Sequence, residues 1–143
     1  MFNRYLSNNY FATTLFILLY ISLLIGFYFD ENLNSGSYND WIGTNYPAIK
    51  GFAFDFKNSI LNYDNFNHRH SPVYLIFLSF FYKIGLSSDL LRLLHLHLAL
   101  FLIYFFFKCL KFKLIQINKN YLFAISFVIF LSPTFRSLSI WPD

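Results

Sequence analysis

Apolar residues fall into four blocks along the chain, each too long or too aromatic for the surface helix of a water-soluble domain. The first covers residues 10–29, twenty positions without a charge, with Arg4 ahead and Asp30-Glu31 behind. At about 1.5 Å per residue a helix of this length reaches across about 30 Å of hydrocarbon. Its exit, Phe-Tyr-Phe-Asp, lacks the small residues of a cleavage site, so the block predicts an uncleaved transmembrane anchor. The second block, 72–86, contains Lys83 and Gly85 and is too short to span in comfort. It predicts an embedded or short transmembrane helix. The third, 90–107, carries Arg92, His95 and His97 in its first half, and the fourth, 121–135, is uncharged but interrupted by Pro133.

The polar segment 30–70 separates the first two blocks. Asp30, Glu31, Asp40, Asp55 and Asp64 stand there against Lys50, Lys57 and Arg69. Within it, Ile49, Phe52, Ala53, Phe56 and Ile60 recur at helical spacing, and Pro47 just ahead favours a helix start. Phe52, Phe54 and Phe56 also alternate as a strand would. A helix with this stripe would lie along a bilayer surface or pack on its own loop. The expected fold class is all-α: a polytopic membrane module of three or four apolar helices with an external loop carrying juxtamembrane helices.

Composition supports that class. The 143 residues are 57% hydrophobic and 24% aromatic but only 13% charged, where a soluble domain carries about 25%. Cys109 is the only cysteine, so no intrachain disulfide or CxxC metal site can form. The net charge of +4 sits mostly in clusters beside apolar blocks, the membrane pattern, and argues against a nucleic-acid partner. Lys108, Lys111, Lys113 and Lys119 lie together with no acid among them, which predicts a cytoplasmic turn. Arg4 predicts the same side for the N-terminus. Both hold if 72–86 is embedded and three blocks span, which puts Asp30, Asp40 and Asp143 on the outer face. The expected location is the cell (inner) membrane, multi-pass.

Candidate chemistry follows from that sidedness. Asp40-Trp41 pairs a carboxylate with an indole face, suited to a sugar hydroxyl and a pyranose ring, although Trp also anchors at interfaces. His68-Arg69-His70-Ser71-Pro72 sets basic side chains before an apolar helix, where a planar guanidinium can bind phosphate or simply anchor at head-group depth. His68 and His70 alone are too few for a zinc site. Arg92 and His95 share a helix face and are expected to be structurally satisfied, Arg92 by snorkelling. Pro133 predicts a bend that needs protein or water around it. A chain that stops on Trp141-Pro142-Asp143 as a helix emerges suggests the N-terminal part of a longer polytopic protein. No phosphate-cradling glycine loop, HExxH or GxSxG motif occurs.

The order of these parts resembles the start of GT-C-type membrane glycosyltransferases, within the family 39-related group of protein mannosyltransferases and lipid A aminoarabinose transferases. The segments that carry the resemblance are Asp40-Trp41, His70-Ser71-Pro72-Val73-Tyr74 running into Phe81-Tyr82-Lys83-Ile84-Gly85, and Leu131-Ser132-Pro133 followed by Asp143. It implies transfer of a sugar from a polyprenyl-phosphate donor, in a lipid membrane, to an acceptor at the outer face, a hexosyltransferase-type reaction. It implies Asp40 as catalytic base, with Asp30-Glu31 as rivals, and Asp143 as a second acid that orients the acceptor or shares a divalent cation with Asp40. Arg69 or His70 would meet the donor phosphate, and Trp41 would stack on the sugar. His-Ser-Pro stands where many relatives have a basic residue before two prolines. Without later helices the segment alone is expected to be inactive. A non-catalytic membrane scaffold subunit, or part of a polysaccharide flippase or polymerase, are the other readings.

Overall fold

Polar residues at 3–9 do not delay the first helix: α1 runs Phe2–Tyr28, well ahead of the apolar block. A computed structural model describes residues 2–31, 36–67, 71–129 and 132–142, with side chains from residue 10 onward except 12, 127 and 129. All regular structure in that range is helical. The end of α1 is a complete Schellman cap. Asp30 takes a left-handed φ of 49°, Glu31 N–H donates to the Gly26 carbonyl at 2.7 Å, and Asp30 N–H donates to that of Phe27 at 3.2 Å. Aspartate tolerates that conformation better than most residues.

The segment after α1 folds into short helices: α2 (Gly36–Asp40), a π-helical turn (Trp41–Asn45), α3 (Tyr46–Phe54), α4 (Phe56–Leu61) and a 3₁₀ turn (Tyr63–Phe66). The wider π turn directs both Trp41 and Asn45 inward, where each is buried. Pro47 lies in the first turn of α3, as the sequence suggests. The predicted stripe from Ile49 to Ile60 is not one helix, however. Ile49, Phe52 and Ala53 are buried, while Phe56 and Ile60 are exposed. The break is at Asp55, whose carboxylate accepts from Asn58 N–H at 3.1 Å and so caps α4 instead of continuing α3. No strand forms over 52–56, and α3 packs chiefly on α5 (Val73–Lys83).

Eleven residues make α5 about 16 Å long, well short of a bilayer core. A second Schellman cap ends it: Gly85 has φ 103°, and Leu86 N–H reaches the Phe81 carbonyl at 3.1 Å. The side chain of Ser87 then accepts from Leu90 N–H and starts α6 (Ser88–Lys113). The expected 121–135 helix is divided into α7 (Lys119–Ile129) and α8 (Pro133–Ile140). Proline lacks the N–H that a continuous helix needs, and Ser132 caps the new start by accepting from Phe135 N–H at 3.1 Å.

Contacts fix the direction of each pass. Asp30 meets Arg92 near the start of α6, and Tyr20 meets His97 further along, so α1 and α6 are antiparallel. Phe107 and Phe123 pack edge to face at 5.5 Å where α6 hands over to α7. The far end of α8 returns to the start of α6, where the Ile140 carbonyl accepts from Arg92 Nε at 3.4 Å. Leu19, Leu23, Leu91, Leu96, Ile103 and Ile140 fill the interior between the passes. Trp41, Ile49, Phe52, Leu75 and Leu78 extend it under the short helices. Among the described residues only α6 is long and apolar enough to cross a membrane by itself; the apolar part of α1, Thr13–Tyr28, and α5 are shorter.

Candidate functional site

The Schellman turn that ends α1 places two carboxylates side by side at the end of the bundle where α6 begins and α8 finishes. Two arginines meet them. Arg92, one turn into α6, is 4% exposed. Its Nη2 donates to Asp30 Oδ1 at 2.9 Å, and its Nη1 to Asp89 Oδ1 at 3.4 Å. The guanidinium lies 3.4 Å from the centre of the Trp141 ring, with Phe27 at 4.8 Å. Arg136 on α8 holds Glu31 through two donors, Nε to Oε1 at 3.0 Å and Nη2 to Oε2, and its Nη1 donates to Ser22 Oγ at 2.8 Å.

The end of the described chain is gripped from several sides. Trp141 Nε1 donates to the Glu31 carbonyl at 2.9 Å, and Tyr38 meets its ring edge to face at 4.7 Å. Asn45 Nδ2, aimed inward by the π turn, donates to the Pro142 carbonyl at 2.8 Å. The cluster thus joins α1, the loop helices, α6 and α8.

Asp40 sits at the rim of this cluster with an exposed side chain. Its neighbour Trp41, expected to offer a ring face to sugar, is 2% exposed. The indole stacks on Tyr46 at 5.5 Å and donates Nε1 to Ser88 Oγ at 3.2 Å. That leaves no open face; the residue anchors the loop to the first residue of α6 and directs Asp40 outward. The rival acids Asp30 and Glu31 are both paired with arginine. Arg92, expected to snorkel, is instead buried, because the end of α1 at Phe27 and Asp30 and the residues that finish α8 close over the start of α6. Arg69, His70 and Asp143 lie outside the described residues. No group of three or more His, Cys, Asp or Glu side chains gathers anywhere among the described residues. Asp143, which the resemblance pairs with Asp40 around a divalent cation, is among the residues that lie outside that range.

Both ring nitrogens of each histidine on α6 are engaged. A carbonyl can only accept, so His95 Nε2–H donates to the Leu138 carbonyl at 2.6 Å, while its Nδ1 is hydrogen-bonded to the Tyr74 hydroxyl. By the same reasoning His97 Nδ1–H donates to Leu93, and its Nε2 accepts from Tyr20 at 3.0 Å. Each ring ties α6 to a neighbouring helix.

Arg136 carries an identifiable electrostatic consequence. Its hydrogen bonds hold the Glu31 carboxyl below the ordinary range, against the opposing effect of partial burial. A depressed carboxylate contributes stability that is complete above its unfolded pKa of about 4.3 and disappears as pH falls through the lower folded value. Thermal unfolding of the wild type and Glu31→Gln should therefore differ by a constant amount from about pH 6 upward, and the two curves should converge as the pH falls below the ordinary carboxylate range. A gap that widens on acidification would contradict the pairing.

Sequence reasoning missed Arg136 as a partner, since Glu31 lies 105 positions away with no local pattern linking them. The usable signal was sidedness: the expected path of three spans puts Arg136 at the same end as Asp30-Glu31. Compared with family models, curated proteins and solved structures, the chain matches none.

Proposed function

We propose that this chain is the outer-face acid module of a polytopic membrane glycosyltransferase that moves a sugar from a polyprenyl-phosphate to an acceptor. The observation that carries the proposal is the separation of charge along the bundle. Asp30, Glu31, Asp40 and Asp89 gather where α6 starts, and Lys108, Lys111, Lys113 and Lys119 stand where it ends and α7 begins. Along α6, Asp89 and Lys108 stand roughly 28 Å apart, about the thickness of a bilayer's hydrocarbon core. Only 33% of the apolar window of α6 is buried, and Phe101, Leu102 and Phe105 are over half exposed. The core helix of a soluble protein would be covered, whereas these rings suit lipid.

In this reading Asp40, the exposed carboxylate at the rim, takes the proton from the acceptor nucleophile. The acceptor oxygen or nitrogen then bonds to the anomeric carbon as the prenyl-phosphate leaves. Arg69 or His70 meets the growing charge on the phosphate, and Asp143 orients the acceptor. Asp30 and Glu31 hold the scaffold, since both carboxylates are already engaged by arginine side chains. That same locking favours the second reading, a non-catalytic scaffold subunit of a membrane assembly.

In the full-length protein, Asp40→Asn should abolish sugar transfer and leave membrane insertion unchanged. A cysteine at position 40, in a Cys109→Ser background, should react with an impermeant thiol reagent on intact cells. Full transfer by Asp40→Asn would favour the scaffold reading. Labelling only after lysis would overturn the outer-face placement and the transferase with it.

A further inference from the structure

At the end of the bundle opposite the acids, lysines and bare apolar side chains alternate. Lys108, Lys111 and Lys113 occupy the last turns of α6 and Lys119 opens α7, all exposed. None of the four is in an ion pair among the described residues; Lys108 Nζ lies 5.1 Å over the Tyr104 ring. Between them Phe112 is 76% and Ile115 82% exposed, with Leu114 and Ile117 also open. The backbone here is ordered by its own bonds, Leu114 N–H to the Leu110 carbonyl at 2.8 Å and Ile117 N–H to that of Leu114 at 3.1 Å. Helix electrostatics account for the lysines that close α6 but not for Lys119, since a cation is disfavoured at a helix start.

Water suits the ammonium groups and not Phe112 or Ile115; hydrocarbon suits the reverse. One environment suits both: the boundary of a bilayer, where apolar tips enter the acyl region and ammonium groups meet phosphate. The charge selects among lipids, because four positive charges with no acid between 108 and 120 gain nothing net from zwitterionic head groups. We infer that the α6–α7 turn is a docking surface for anionic phospholipid head groups, with Phe112 and Ile115 inserted beside them. This rests on the membrane placement of α6 proposed above and not on sugar transfer.

Cys109, exposed beside Lys108 near the end of α6 and the only cysteine in the chain, allows a probe without any substitution. The full chain, labelled there with a fluorophore, is reconstituted into phosphatidylcholine vesicles containing one-fifth phosphatidylglycerol. Quenching by head-group spin-labelled phosphatidylglycerol should exceed that by spin-labelled phosphatidylcholine about threefold or more at equal content, since each lysine near an anionic surface is attracted appreciably. High salt should reduce the preference. Replacing all four lysines by Gln should abolish it while the protein still floats with the vesicles. Equal quenching by the two lipids in the wild type would overturn the inference and leave the membrane placement standing. Failure to float would overturn both. Loss of the preference to soluble polyglutamate at equal charge would assign the turn to an acidic protein segment and overturn the lipid assignment.

Discussion

Replacing Arg92 by Ala should destabilise the protein by about 3 kcal/mol, a fall in melting temperature of about 10 °C for a chain of this length. Most of that does not come from its ion pairs. The side chains of Asp30 and Asp89 are 49% and 77% exposed, so either carboxylate regains water when the arginine goes. The loss lies on the buried side. A guanidinium 3.4 Å from the Trp141 ring centre is desolvated, where cation–π attraction reaches about 2 kcal/mol or more. The Ile140 carbonyl loses its Nε donor, and a cavity opens between Phe27 and Trp141. Arg92→Lys should rescue little, because an ammonium cannot stack flat and donate in three directions at once. Asp30→Asn should cost less than about 1 kcal/mol by the same solvation argument. Thermal unfolding followed by Trp fluorescence in detergent checks the ranking. Equal losses for Arg92→Ala and Asp30→Asn would show the ion pair, and not the stack, to be the working element.

That ranking shows what the sequence could and could not reveal. The apolar blocks, the short second helix and a disturbance at Pro133 were legible, because each depends on local periodicity or on a missing N–H, although the disturbance was expected as a bend and is a division into two helices. The interruption at Asp55 was not, since the Ile49–Ile60 spacing continues through it and only the competition of one carboxylate for a backbone N–H ends the helix. The cluster was half legible. Asp30-Glu31 stood out as charges behind an apolar block and Arg92 as a charge inside one, but their pairing depends on how distant helices align, and Arg92 was read as reaching solvent. Trp41 was misjudged for a physical reason: a π turn and a helical turn expose different faces of the same residues, and sequence spacing does not distinguish them. Asp40 kept its exposed position because Trp41 gave up its own.

Gly26 offers a sharper test, because its substitution should change sign with background. A Cβ built there meets Glu31 Oε2 and comes within 2.9 Å of Ile140 Cδ1 and 3.1 Å of Arg136 Nη2. The absent side chain is what allows Arg136 to reach Glu31 across the last turn of α1. Gly26→Ala should therefore displace the carboxylate and lower stability, even though alanine is favoured over glycine in a helix by about 1 kcal/mol. Gly26→Leu cannot be absorbed by moving one carboxylate, and should cost about 3 kcal/mol through overpacking against Ile140 and loss of the pair. In a Glu31→Ala background the nearest obstacle is gone and Arg136 is released from it. There Gly26→Ala should become neutral or stabilising, leaving the helix-propensity gain. A double-mutant cycle on unfolding midpoints reads this coupling directly. If Gly26→Ala costs the same with and without the Glu31 carboxylate, the close approach of α1 and α8 is governed by Ile140 packing, and the ion pair is a consequence of that contact and not its reason.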